Sequence, residues 1–440
     1  MNKIVILSLL VLISIVSNGQ ENIKKCITTR LVEHELISNP DYKKGRANSI
    51  SENIDWIKSD KSKRSTINIP VVIHIIHKNT HSNIGIGTNI SNAQIEDALK
   101  ILNEDYSKTN PEYPNPPRNT FLNNWGNPNL KFCLATIDPN GNPTNGITRT
   151  STTKASFDAD TEGNDMKRVS TSGKDAWNPS KYLNIWVCNL SNSGGGGMTL
   201  GYAYLPGLPS WNSWKDGLVI DFQYFGTIGG ASASSDGRTA THEIGHYLGL
   251  NHTFCESQSG GCCDNDENNV NDTPAADDGI YFGTVNLTTN NNTCNDLQYT
   301  NIFNTNVLDM DENFMSYAST TWMFSNDQVN VMNATLNGYR SSLKNSTVSM
   351  NCDESVGTGI NNYQLENLNI YPNPTLGKLN ITSADKINSL SITNIIGKQI
   401  FFTENFTTNT IDLSSFENGV YFINISTDKG THIEKIILTK

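Results

Sequence analysis

The sequence predicts two folded units: an α+β domain built on a mixed twisted sheet, then a small all-β sandwich. Three observations carry this expectation. The stretch INIPVVIHIIHK, Ile67 to Lys78, is β-branched almost throughout, as in a strand buried on both faces. Behind it come a helical pattern, several short apolar runs and a second helical pattern, an order that packs helices onto a mixed sheet. After about residue 345 the texture shifts to short β-branched runs between turn signals.

Ahead of the first strand, MNKIVILSLLVLISIVSNGQ sets Lys3 before an apolar run, Ile4 to Val16, and small residues at Ser17 and Gly19. This is the pattern of a secretory signal peptide over residues 1–19. The run is shorter than the roughly 20 residues that cross a bilayer, and no later run is long enough to span. Residues 20–64 are polar, carry Cys26, and close on the basic run KSDKSKR, Lys58 to Arg64. They read as a removable pro-segment cut near Arg64, the alternative being a disordered extension. On this reading the larger domain occupies residues 65–345.

Within it, Ser91 and Gln94 make a capping-box start for a helix with apolar positions Ile95, Ala98, Leu99, Leu102 and Tyr106. Strands are expected at LKFCLAT (130–136), LNIWVCNL (183–190), LGYAYLP (200–206) and GLVIDF (217–222). Residues 346–364 read as a polar linker and 365–440 as the β-sandwich.

The net charge of −11 leaves no basic stripe able to neutralise phosphates, which excludes a nucleic-acid binder. Eight cysteines in an exported chain point to disulfides, and the absence of a CxxC pair speaks against a thiolate zinc site.

The chemistry concentrates in HEIGHYLGLNH, residues 242–252. On a helix, His242 and His246 share one face and can offer both imidazoles to one ion. A glycine at 249 can take a left-handed conformation, end the helix and swing His252 back under the same ion. Three neutral imidazoles leave a tetrahedral Zn²⁺ one open position, the arrangement of a catalytic site. Glu243 flanks the ligands without pointing at the ion and is the expected general base for water-driven hydrolysis of a peptide bond. A bare HExxH arises by chance in roughly one chain in a hundred of this composition; the added glycine and histidine make that about one in 10⁵. His34, His74, His77, His81 and His432 lack such spacing and read as structural or exposed.

HExxHxxGxxH is the metzincin signature, and DENFMSYAS, Asp311 to Ser319, resembles the Met-turn of that clan. The resemblance implies an α+β metzincin fold with an active-site helix and a Met-turn subdomain. It makes Met315 an apolar floor under the ligands and Tyr317 a hydroxyl that steadies the tetrahedral intermediate. The pieces FCLATIDPNGNPTNGITR, LNIWVCNL, LGYAYLPG, DGLVIDFQYFG, NNVNDTP and MFSNDQVNVM resemble the pappalysin family over roughly residues 65–345. One departure is Ser316, where that family usually has aspartate before the tyrosine.

In CCDNDENNVNDTPAADDG, Cys262 to Gly279, clustered carboxylates and amides suit Ca²⁺, which takes about six to eight oxygen ligands. The family resemblance also implies structural calcium here, with Asp264, Asp266, Asn268, Asp272, Thr273 and the Val270 carbonyl as ligands. It further pairs Cys262 or Cys263 with Cys294. KKCITTRLVEHELISNPDYKKGR, Lys24 to Arg46, resembles the propeptides of these enzymes, which implies a latent zymogen with Cys26 on the zinc.

The tail motifs IYPNPTLGKLNI, NGVYFINI and HIEKIILTK resemble the sorting domain of the Bacteroidetes type IX secretion system. This implies an exported or surface-attached protein whose partners are that machinery and protein or peptide substrates. A secreted zinc endopeptidase with structural calcium is the reading that follows. The alternative is a surface-displayed adhesin with a non-catalytic metalloprotease-like domain.

Overall fold

The computed structural model describes residues 23–59, 66–192, 197–256, 262–263, 270–277, 282–299, 303–352, 368–383, 386–394, 399–404, 406–427 and 430–440. The signal peptide, the cut near Arg64 and most of the 346–364 linker lie outside them.

Residues 23–59, part of the expected pro-segment, are folded onto the domain. Strand β1 (Ile23–Cys26) joins the main sheet, and helices α1 (Thr28–Ser38) and α2 (Pro40–Lys58) follow. Asn39 caps α2 by accepting from the Tyr42 amide, with Pro40 in the first helical position, where a missing N–H costs nothing.

β2 (Ile67–Lys78) is the central strand. On one edge it runs parallel to β3 (Leu130–Ala135) and, further along, to β4 (Ile147–Thr152); on the other it pairs with β6 (Leu183–Cys188). A short pair, β5 (Phe157–Asp158) with β7 (Leu190–Ser191), lies apart from this sheet. Beyond β6 come β9 (Leu218–Asp221), parallel, then β8 (Met198–Ala203), antiparallel, and lastly β1, parallel to β8. Ile69, Val71, Ile73 and Ile75 face a core shared with helices α3 (Asn92–Ser107) and α4 (Thr239–Tyr247). The alternate residues Val72, His74 and Ile76 are buried on the opposite face, which is why the strand is apolar without alternation. His74 is structural: it bonds Thr148 and Asn184, and burial pushes its pKa down to about 4.

The Ser91 start of α3 is correct, but only half of the capping box forms. The Gln94 amide N–H bonds Ser91 Oγ, while the Gln94 side chain turns away to Phe222 O, Phe225 O and the Gly230 amide. Gln94 is buried, so its side chain serves three loop groups that would otherwise lack partners.

Four-residue α5 (Asp296–Tyr299) precedes the Met-turn region; α6 (Asn326–Asn337) and α7 (Ser341–Lys344) follow it. β10 (Met350–Asn351) pairs with β3, and Cys352 is disulfide-bonded to Cys133, so the stretch read as linker begins inside the domain. Two further disulfides, Cys255–Cys262 and Cys263–Cys294, staple the loop behind His252; Cys26 and Cys188 are free.

The C-terminal unit has two sheets, β11 (Asn369–Tyr371), β12 (Lys378–Thr382) and β15 (Thr410–Asp412) against β14 (Gln399–Glu404), β13 (Ile387–Asn394), β16 (Gly419–Thr427) and β17 (Gly430–Leu438). Leu379, Ile381 and Ile411 meet Leu390, Ile423 and Ile436 in one apolar layer, as in a sandwich. Among the described residues no helix is long and apolar enough to cross a membrane.

Candidate metal centre

Helix α4 is buried from Ala240 to Tyr247, so its side chains are fixed by packing before any ion is considered. Gly249 ends it with φ of +102°, and the Leu250 amide closes back on Gly245 O. A β-carbon at 249 would also come within 2.9 Å of Thr335 Oγ1, so space and backbone both require glycine.

The turn brings His252 Nε2 to 3.1 Å from both His242 Nε2 and His246 Nε2, which are 3.2 Å apart. The opposite nitrogens have acceptors: His242 Nδ1 on Phe314 O, His246 Nδ1 on Leu250 O and His252 Nδ1 on Glu256 Oε1, each at 2.7 Å. With the Nδ1 protons so committed, three Nε2 lone pairs converge on one point, which is repulsive without a cation. Nitrogens about 2.0–2.1 Å from a tetrahedral zinc lie about 3.3 Å from one another, so the triangle has the right size. Burial pushes His242 and His246 well below the ordinary imidazole range, keeping both neutral as ligation demands.

Glu243 is fully buried beside this triangle. Desolvation pushes its carboxyl up to about 8, against bonds from Cys26 and Thr28 on Oε2, and Oε1 has no protein partner. Cys26 Sγ completes a cluster with the three imidazoles in which all ligand atoms lie within 4.8 Å of one another. Burial, and then Glu243, raise the Cys26 thiol well above its usual value, so a nearby cation is needed to draw off its proton.

Met315 is fully buried, with its sulfur packed against Gly245 of α4. Tyr317 packs edge-on against His252 and donates to Cys26 O at 3.3 Å. Beside His242 and Glu243 opens a pocket whose walls include Leu200, Tyr224, Asp236, Arg238 and Thr321. Lys25 lies at its rim, donating to Tyr317 O and Ala318 O.

Three features escaped the sequence. Glu256, four residues after His252, orients that ring; an acid at this spacing was the available signal. Gly245, to which the sequence reading assigns no role, faces Met315. Thr28 bonds Ala203 O and Glu243, and nothing in a lone threonine announces that. Of the calcium candidates, Asp264, Asp266 and Asn268 lie outside the described residues. Val270, Asp272 and Thr273 are buried together, and Asp272 Oδ1 lacks a protein partner.

Fold and site together define a metzincin: a mixed sheet, an active-site helix, a glycine-turned third histidine and a buried methionine packed against that helix. Residues 166–337 match the family model described as pregnancy-associated plasma protein-A, peptidase family M43, and residues 369–439 match the secretion system C-terminal sorting domain. Mature mirolysin of Tannerella forsythia, in complex with a cleaved peptide, is 37% identical, with a TM-score of 0.53 over 64% of this chain and 97% of that one. A T. forsythia promirolysin mutant is 33% identical with a TM-score of 0.59, covering 74% of this chain and 97% of that one. An extracellular metalloprotease of Pyricularia oryzae is 29% identical over 49% of this chain and 59% of its own length. One from Podospora anserina is 38% identical over 25% and 36%. The chain thus spans less than two thirds of these curated relatives. It belongs to the pappalysin family, and its sorting domain and extracellular relatives place it outside the cell or on its surface.

Proposed function

We propose that this chain is a zinc-dependent endopeptidase made as a latent precursor. The observation that carries the reading is the triangle of His242, His246 and His252 Nε2 atoms beside the buried, half-unpartnered carboxyl of Glu243. Bound zinc would supply a Lewis acid that polarises a scissile carbonyl and acidifies water. Glu243 takes the proton from the attacking water and hands it to the leaving amine, a task suited to a carboxyl raised by burial. Tyr317, once released from Cys26 O, turns its hydroxyl to the developing oxyanion. Met315 fixes the height of the ligands.

In the precursor, β1 occupies the free edge of β8 and delivers Cys26 to the histidines, where its thiolate would join them in holding zinc and would exclude water. The unpartnered Asp272 Oδ1 supports structural calcium in the loop stapled by Cys263–Cys294; Thr273, the Val270 carbonyl, Asp264, Asp266 and Asn268 complete the proposed set. A calcium-selective chelator should then lower the melting temperature while zinc content stays constant. The C-terminal sandwich addresses the chain to the type IX secretion machinery, and protein or peptide chains are the substrates.

The test is mass spectrometry of peptides released by the processed protein. Cleavage that o-phenanthroline and Glu243→Ala abolish supports an enzyme. Processed protein that holds zinc yet cuts no peptide library returns the chain to the non-catalytic display alternative.

A further inference from the structure

The segment 23–59 holds the domain at two separate places. Its first residues engage the metal centre: Lys24 pairs with Asp160, Lys25 bonds the Met-turn backbone and Cys26 meets the histidines. Apart from Thr28, Thr29 and Arg30 at the start of α1, which still reach Glu243, His252 and Asp160, its helices sit elsewhere, on a ledge formed by Tyr204, Leu205, Gly207 and Leu208, where Val32 and the fully buried Tyr42 complete an apolar cluster. Tyr42 Oη donates to Leu205 O, Lys215 pairs with Glu35, and Asn53 donates to Thr335 Oγ1.

The buried face of α2 is Tyr42, Arg46, Ser49 and Asn53, a single stripe at spacings of four, three and four. Only Tyr42 is aromatic and none is aliphatic, so the helix is held by fit as much as by apolar burial. The closest fit is glycine on glycine: a β-carbon at Gly45 would stand 2.2 Å from Gly207 O, and one at Gly207 would stand 2.6 Å from the Arg46 amide nitrogen. Gly207 has φ of +139°, so both residues are glycines for a reason the contact supplies.

No disulfide joins this segment to the rest, because Cys26 is free and the three bridges all lie between Cys133 and Cys352. A cut downstream of Ser59 removes the covalent tether, and with it an effective concentration in the millimolar range, but it breaks none of these contacts.

We propose that residues 32–58 are a second, helical lock, independent of the Cys26 thiol, through which a severed pro-segment stays seated over the cleft as a non-covalent inhibitor. Activation then needs α2 to undock or be degraded after the first cut. This rests on the reading of the chain as a latent peptidase, and the thiol and the helices are separable by mutation.

The experiment uses the full chain carrying Glu243→Gln, nicked by limited trypsin downstream of Ser59 and passed over a sizing column. The unaltered fragment and a Cys26→Ala fragment should both co-elute with the domain, whereas Gly45→Leu and Tyr42→Ala fragments should separate. Prompt separation of the unaltered fragment, or undiminished retention of both helix variants, overturns the second lock. If only Cys26→Ala releases the fragment, the thiol is the sole lock, and latency stands while this proposal falls. Hydrogen exchange of the unnicked chain gives a second reading. Gly45→Leu should speed exchange across residues 40–58 at least tenfold while 23–26 stay protected; equal loss in both regions would show one lock, not two. With Glu243 restored, nicked Gly45→Leu protein should be at least tenfold more active than nicked parent. The domain downstream of the nick is identical in the two, so the difference belongs to the fragment.

Discussion

Met315 passes under helix α4 at Gly245, so close that a β-carbon on Gly245 would stand 2.3 Å from the Met315 sulfur. The methionine floor and the ligand helix are therefore fitted to each other by a missing side chain. Gly245→Ala should destabilise the fold by about 1–3 kcal/mol through overpacking, although alanine is the better helix former by about 1 kcal/mol. Met315→Leu, which conserves volume, should cost less than about 1.5 kcal/mol. Combining Gly245→Ala with Met315→Ala should recover part of the alanine penalty, because the clash then disappears. Thermal melts and bound zinc per chain measure these three variants and Met315→Ala alone. Simple additivity in the double variant would show that the contact is unimportant.

Gly249 carries two constraints that mutation can separate. Gly249→Ala meets the backbone penalty of φ +102° and the approach of Thr335 Oγ1 at 2.9 Å. A loss of at least about 2 kcal/mol is expected in urea unfolding. Thr335→Ala placed on top should return only the steric part, leaving the backbone strain in place. Full restoration would mean that the turn tolerates a side chain and that the left-handed geometry is dispensable.

The convergence of His242, His246 and His252 was legible because histidine spacing on a helix is a local fact and the glycine that ends the helix lies in the same eleven residues. Met315 was legible only through resemblance, since one methionine in an apolar run carries no signal of its own. Glu256 and Gly245 were not, for different reasons: one acts through the far nitrogen of His252, the other by what it lacks. The pro-segment was the largest surprise. Tyr42, Arg46, Ser49 and Asn53 do not resemble a buried stripe, and their burial draws on chain more than 150 residues away in sequence, such as the ledge at Tyr204 to Leu208 against Tyr42 and Arg46 and Thr335 of α6 against Asn53. Likewise Ser91 announced a helix start, but Gln94 was claimed by loops at Phe222, Phe225 and Gly230 that no local pattern reveals.

Glu256 holds His252 in the tautomer that presents Nε2 to the ion. Burial would raise this carboxyl, yet the His252 ring and its hydrogen bond hold it below the usual range, so it remains charged against the imidazole. Glu256→Gln keeps the shape and removes the charge. Zinc affinity, read by competition with a chromophoric chelator, should fall about 10- to 100-fold, the usual effect of losing a partner behind a ligating histidine. The parallel change Glu243→Gln, which touches no ligand nitrogen, should leave affinity within a few-fold. Equal affinities for the parent and the Glu256 variant would remove Glu256 from the site.

Lys167 gives the fold a pH dependence away from the metal centre. It is fully buried, donates to Lys215 O at 2.6 Å, and sits among the rings of Trp186, Tyr202 and Tyr204 at 5.0 to 5.7 Å from their centroids. Desolvation lowers its pKa to about 7 despite the nearby charge of Asp216. In the unfolded chain the amine keeps its ordinary value of 10.5. Between these values the unfolded chain binds a proton that the folded chain does not, so this residue makes stability rise with pH from about 7 to about 10. Below pH 7 both states hold the proton, and the full penalty of burying the charge remains, softened by the aromatic rings. Lys167→Met fills the same space without a titrating group. Its melting temperature should exceed that of the parent most at pH 6 and lose that advantage by pH 10, with the crossover in this window. A difference that is flat across the window would show that the amine titrates normally and reaches water in the folded state.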